Sequence, residues 1–180
     1  MKKILGIIII SVTVLLLTGC SLFEKNESGI RGNCSVFDCI KKIEITDNLK
    51  TINQVMGFEG TLEKEEKDYK IYRWVTNEKK NESLQAVFYA KNTSISITFT
   101  DKDIKDKNVD FSQYEEIKRM LNNRETIKYK DISAKFNAEG VLTEKTAYSD
   151  KYRWVNKNGQ YINATFSNGS GACTMIFGKV

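Results

Sequence analysis

Four cysteines are the most reactive side chains in this chain, and no histidine accompanies them. Without imidazole the commonest general base and metal ligand is missing, so Ser-His-Asp and Cys-His catalysis and most zinc sites are excluded. Cys20 closes Leu17-Thr18-Gly19-Cys20, two small residues and a thiol at the end of an apolar run. Cys34, Cys39 and Cys173 make at most one bridge and leave one thiol over, and the spacing does not say which two would pair. A structural role, as one disulfide or as buried thiols, is expected for them. Glu59 and Glu139 each precede a glycine at matching places in the chain, which points to a shared turn and not to an acid–base pair. The glycines match no GxxxxGK phosphate loop, and Ser167 to Cys173 (SNGSGAC), lying between two strand patterns, reads as a hairpin turn. No catalytic residue, metal or cofactor is expected, and the chain does not read as an enzyme.

The surroundings of Cys20 explain how its thiol would be presented. Lys2 and Lys3 precede an apolar run from Ile4 to Leu17, which is shorter than the roughly 20 residues that span a bilayer as a helix. Residues 1–19 therefore read as a removable export signal. Its end resembles the lipobox of bacterial lipoproteins, which implies a diacylglyceryl group on Cys20 and cleavage just before it. Two acyl chains, at about 0.8 kcal/mol per buried CH₂, would hold the protein durably on the exported side of a bacterial membrane. Residues 20–33, polar and rich in small side chains, would form the lipidated tether. The formal charge of +5 falls by two once Lys2 and Lys3 leave. Lysines and glutamates alternate along the chain, as on a solvated surface, so a nucleic-acid partner is not expected.

Both tryptophans of the chain lie in the same tetrapeptide, Tyr72-Arg73-Trp74-Val75 and Tyr152-Arg153-Trp154-Val155. Aligning them at an offset of 80 also brings Thr46 onto Thr126, Ile52 onto Ile132, Met56 onto Phe136 and Glu59-Gly60 onto Glu139-Gly140. Beyond the tryptophans the offset becomes 78, so that Ala86-Val87-Phe88 faces Ala164-Thr165-Phe166 and Phe99 faces Phe177. The chain is a tandem duplication. Repeat 1 covers residues 34–100, a charged linker 101–110 and repeat 2 residues 111–180.

In each unit a helical pattern is followed by strands. Ser35 and Ser112 open capping boxes, Thr46 and Thr126 are expected N-caps of the second helices, and Gly57 and Asn137 suit their left-handed ends. From Gly60 and Gly140 onward the period is two, giving four strands per unit, the first over Thr61 to Lys64 and Val141 to Lys145. The expected fold class is α+β, each unit being two short helices followed by a four-stranded antiparallel sheet. The two sheets would pack side by side with the helices on one face.

Strand alternation puts Tyr72, Trp74, Phe88, Tyr152, Trp154 and Phe166 on the apolar face, beneath the helices. Arg73, Tyr89, Arg153 and Tyr161 fall on the mixed, open face. Arg and Tyr dominate the energetics of interfaces, so these four are the candidate partner-binding residues.

Tandem units of this size, each with two helices, a Tyr-x-Trp strand and an Ala-x-Phe element, resemble the β-lactamase-inhibitory-protein-like family. The elements that carry the resemblance are Glu59-Gly60-Thr61-Leu62 with Tyr72-Arg73-Trp74, and Glu139-Gly140-Val141-Leu142 with Tyr152-Arg153-Trp154. It implies a non-enzymatic protein whose two sheets join into one curved sheet with helices on the convex side, leaving a concave face to cover a protein partner. The expected function is that of a membrane-anchored, non-catalytic protein-binding module using the open sheet face. Inhibition of a β-lactamase or other enzyme, and a structural role at the envelope, are the alternatives.

Overall fold

The structure, a computed structural model, describes residues 31–104, 109–171 and 173–179. Cys20 and the expected signal therefore lie outside the described residues. Among those described, no helix is long and apolar enough to cross a membrane.

Unit 1 runs α1 (Val36–Lys42), α2 (Leu49–Met56), β1 (Thr61–Glu65), β2 (Tyr69–Asn77), β3 (Glu82–Tyr89) and β4 (Thr93–Thr98). Unit 2 repeats this as α3 (Tyr114–Asn122), α4 (Tyr129–Phe136), β5 (Val141–Lys145), β6 (Ser149–Val155), β7 (Gln160–Ser167) and β8 (Cys173–Lys179). Short 3₁₀ turns at Asp101–Asp103 and Phe111–Gln113 lie between them.

Two four-stranded sheets packed side by side, each with its own helix pair, are not what the chain builds. All eight strands form one antiparallel sheet in the order β1 to β8, and the protein is mostly β with four short helices. The units meet edge to edge, Ile95 opposite Lys145 and Ser96 opposite Glu144. Hydrogen bonding β4 to β5 removes two strand edges that separate sheets would leave bare. The helices follow the same logic. α1 does not simply pair with α2 but lies across β3, β4 and β5, so it covers the junction. Its Val36, Cys39 and Ile40 share one core with Trp74, Leu84 and Ile95 and also with Leu142 of the second unit. A second core gathers Ile117, Ile132, Phe136, Trp154 and Ile162, and Tyr152 packs against both.

Local signals explain most boundaries. Ser35 caps α1, its Oγ accepting the Asp38 N–H at 3.3 Å. α2 starts at Leu49 and not beside Thr46, because the Asn48 Oδ1 accepts the Thr51 N–H at 3.0 Å while Asp47 is turned back to the Glu44 N–H. α4 likewise starts after Lys128, whose N–H is held by the Asp131 carboxylate, and not beside Thr126. Asp110 takes the Ser112 N–H, so a 3₁₀ turn precedes α3 where a capping box from Ser112 was expected. Gly57 and Asn137 end α2 and α4 in the left-handed region, at φ of 80° and 49°.

The repeated Glu-Gly and the repeated tryptophan prove to be one device. A Cβ on Gly60 would stand 2.4 Å from the Trp74 ring, and one on Gly140 would stand 2.5 Å from that of Trp154. Only glycine lets each indole lie flat against the chain entering the sheet. Trp74 Nε1 donates to Asn53 Oδ1 and Trp154 Nε1 donates to the Ala138 carbonyl, both at 3.0 Å.

Cys34 and Cys39 form the disulfide, with Cα atoms 5.6 Å apart, and Cys173 is free. Burial pushes the Cys173 thiol up to about 11, which keeps it a weak nucleophile at neutral pH. Chain entropy for so short a loop puts the stabilisation by the disulfide at about 2 kcal/mol. The Cys34→Ser/Cys39→Ser variant is therefore expected to lose about that much in urea unfolding. Adding reductant to the wild type should reproduce the loss.

The β2–β3 hairpin carries a group whose ionisation is costly. Glu82 is buried beside the Lys80–Asp103 ion pair, which is 3.2 Å long. Burial raises the Glu82 carboxyl above its ordinary value; Lys80 opposes the rise and Asp103 adds to it. A neutral Glu82 is tolerated below the unfolded-state value near 4.5, and stability falls as pH rises through the higher folded-state value. Glu82→Gln is therefore expected to melt above wild type at about pH 7 and level with it near pH 4. A pair of thermal scans at the two pH values checks this.

Candidate functional site: the open face of the sheet

The large, fully buried side chains lie on the helix side of the sheet, and the opposite face carries no helix pair, although Ser83 and Val155 are buried on it and Asp101 reaches over it to Arg153. Alternation along β2, β3, β6 and β7 places Arg73, Tyr89, Arg153 and Tyr161 on this open face, but the structure does not bring the four together.

Arg73 sits in the first unit, in a polar cluster built by the bulge in β1 between Leu62 and Lys64. The bulge aims Glu63 inward over the face, where its carboxylate accepts from Arg73 Nε at 2.5 Å and from Gln85 Nε2 at 3.0 Å. Arg73 Nη1 also reaches Ser83 Oγ at 3.3 Å. Partial burial pushes the Glu63 carboxyl up. The hydrogen bonds from Arg73 and Gln85 and the Arg73 charge outweigh it, and the net shift is downward. Tyr89 stands apart from this cluster at the far end of β3, 49% exposed, opposite Tyr69. Lys64 donates to the Tyr69 hydroxyl at 2.9 Å, making a second small polar-aromatic group there.

Arg153 and Tyr161 do meet. The Arg153 guanidinium lies 4.6 Å from the Tyr161 ring centre, while its Nε donates to Asn163 Oδ1 and its Nη1 to Asp101 Oδ1, both at 2.8 Å. The duplicate of Glu63 in this unit is Thr143, which offers no carboxylate; its hydroxyl donates to the Lys151 carbonyl at 3.1 Å. Arg153 takes its counter-charge from the inter-unit segment instead. Tyr161 in turn covers Gly178 of β8, where a Cβ would come within 2.4 Å of the ring.

Along the junction of the units runs a polar groove of about 320 Å³. Ser96 and Thr98 of β4 and Thr143 and Glu144 of β5 line it, with Lys151 and Arg153 of β6 on its far wall. Strand alternation placed Arg153 on this face, but the groove itself was not legible beforehand, because it exists only where β4 pairs with β5. The segment 101–110 is more than a charged connector. Ile104 and Val109 are buried, Asp101 holds Arg153, and Asp103 holds Lys80.

Chemically, the face offers two arginines already engaged by carboxylates, one exposed tyrosine, and a floor of serines and threonines. Such groups can hydrogen-bond and stack against a polar ligand surface. Among the described residues there is no cluster of histidine, cysteine, aspartate and glutamate able to hold a metal ion. No protein-family model, no curated protein and no solved structure matches the chain.

Proposed function

We propose that the protein is a bacterial envelope lipoprotein, anchored through a diacylglyceryl group on Cys20, that acts without catalysis by holding a protein partner against the open face of its sheet. The observation that carries this reading is the one-sided architecture. The apolar sides of α1 to α4 pack into cores on one face, and the other presents Arg153 and Tyr161 beside the junction groove, with Arg73 further along it, each arginine held in place by its hydrogen bonds. Pre-ordering by Asn163, Asp101 and Glu63 lowers the entropy lost when such side chains are fixed in an interface. Tyr89 supplies an exposed aromatic at the far end.

The test is crosslinking on intact cells from a photoreactive residue placed at Thr98, in the groove. A defined adduct is expected, and Arg153→Glu should reduce its yield at least tenfold, a loss of about 1.4 kcal/mol. An adduct pattern that is unchanged by Arg153→Glu and by Tyr89→Ala would remove the open face from the reading. The tandem-unit resemblance makes enzyme inhibition the second reading. Titration against class A β-lactamases addresses it, and activity unaffected at micromolar protein would dismiss it.

A further inference from the structure

We infer that copies of this chain associate head to tail, the β8 edge of one pairing with the β1 edge of the next in the way that β4 pairs with β5 inside each copy. The inference concerns the sheet edges and stands independently of what the open face binds.

The internal junction supplies the template. In it α1 overhangs β4 and lies on β5, so Leu142 is only 6% exposed. The duplicate of Leu142 is Leu62, on β1, and it is 44% exposed because no helix lies over it among the described residues. At the other end α3 touches β8 as α1 touches β4, with Tyr114 against Phe177 at 5.1 Å where Phe37 meets Phe99 at 5.2 Å. Beyond β8 there is no further strand among the described residues, and Phe177 is 40% exposed and Ile176 67% exposed. Among the described residues, one end has a helix with no strand beyond β8 beside it, and the other has a strand with no helix above it.

Charge makes the match specific. In the junction Lys145 of β5 donates to the Ile43 carbonyl at 2.7 Å and lies 3.4 Å from the Glu44 carboxylate, just past α1. The duplicate of Lys145 is Glu65 and the duplicate of Glu44 is Arg124, just past α3. Both signs are reversed together, so a β1 edge docked at β8 would set Glu65 against Arg124 of the neighbouring copy. Arg124 is exposed, and Glu65 pairs with Lys70 at the surface. Charges on an edge strand ordinarily discourage pairing. Here β5 carries Glu144-Lys145 at the same positions and is paired, so the Lys64-Glu65 charges act as a selection for the right neighbour. The implied register sets Thr174 opposite Lys64 and Cys173 opposite Glu65, after Ser96–Glu144 and Ile95–Lys145. Since the two edges differ, the contact does not close on itself and builds an open series.

The test uses the full chain in non-ionic detergent. Sedimentation velocity at rising concentration is expected to show dimers, trimers and longer species. Glu65→Lys alone and Arg124→Glu alone should each weaken the series about tenfold through like-charge contact, and mixing the two variants should restore it. Both positions are exposed, and unchanged circular dichroism would show that the fold is kept. In a Cys173→Ser background, Lys64→Cys/Thr174→Cys should give disulfide ladders on mild oxidation. A monomer at every concentration, a series indifferent to both charge reversals, or dimers from Thr174→Cys alone that match the double variant would each overturn the proposal.

Discussion

Trp154→Ala is expected to cost about 3–5 kcal/mol of unfolding free energy, read as a drop in the urea midpoint at an unchanged slope. The indole is 1% exposed and fills the space between Gly140, Phe136 and Tyr129. Its loss leaves a cavity that a sheet on one side and a capped helix on the other cannot close. It also strands the buried Ala138 carbonyl, which has Nε1 as its partner at 3.0 Å. Trp74→Ala should fall at the lower end of the same range. Its hydrogen-bond partner, Asn53 Oδ1, keeps a second donor in the Gly60 N–H at 3.1 Å and is not orphaned. Against a total stability of about 5–15 kcal/mol, either loss is a large share of the whole.

The second large effect separates two residues that sequence alone treats as equals. Leu142→Ala is expected to lose about 2–4 kcal/mol, whereas Leu62→Ala should lose about 1 kcal/mol or less. Both leucines follow the same Glu-Gly and start the same strand. Leu142 lies in the core beneath α1, and Leu62 lies on an edge strand whose residues are all exposed. Parallel chemical denaturation of the two variants at low concentration, where copies are apart, checks the difference. Equal losses would mean that α1 does not span the junction.

What could be read from the sequence was whatever is repeated or alternates. The duplication, the four strands per unit, the left-handed stops at Gly57 and Asn137 and the inward tryptophans all follow from spacing within one unit. What could not be read was whatever one unit does to the other. Lys145 facing Ile95 and α1 resting on Leu142 join residues from different units, Asp101 engaging Arg153 joins the linker to the second unit, and no periodicity links any of these pairs. That is why spacing within a unit led to two sheets side by side where one eight-stranded sheet formed. The helix starts went astray for a smaller reason: Asn48 and Asp131 outcompeted the threonines two and five residues earlier for the free backbone N–H groups. For the candidate binding residues, alternation put all four on the face opposite the helix cores, but it could not show that Tyr89 lies far from Arg153 or that Glu63 already occupies Arg73.

The position of α1 also dictates an order of events. As the chain emerges N-terminus first, all of the first unit appears before Leu142 does, so the apolar side of α1 and the far edge of β4 must wait for β5. A nascent chain halted in the 101–110 segment would hold an unfinished core and a sticky strand edge at once. While residues 100 to 145 emerge, the first unit therefore shows an unpaired strand edge and an uncovered helix face, the surfaces through which partly folded chains aggregate.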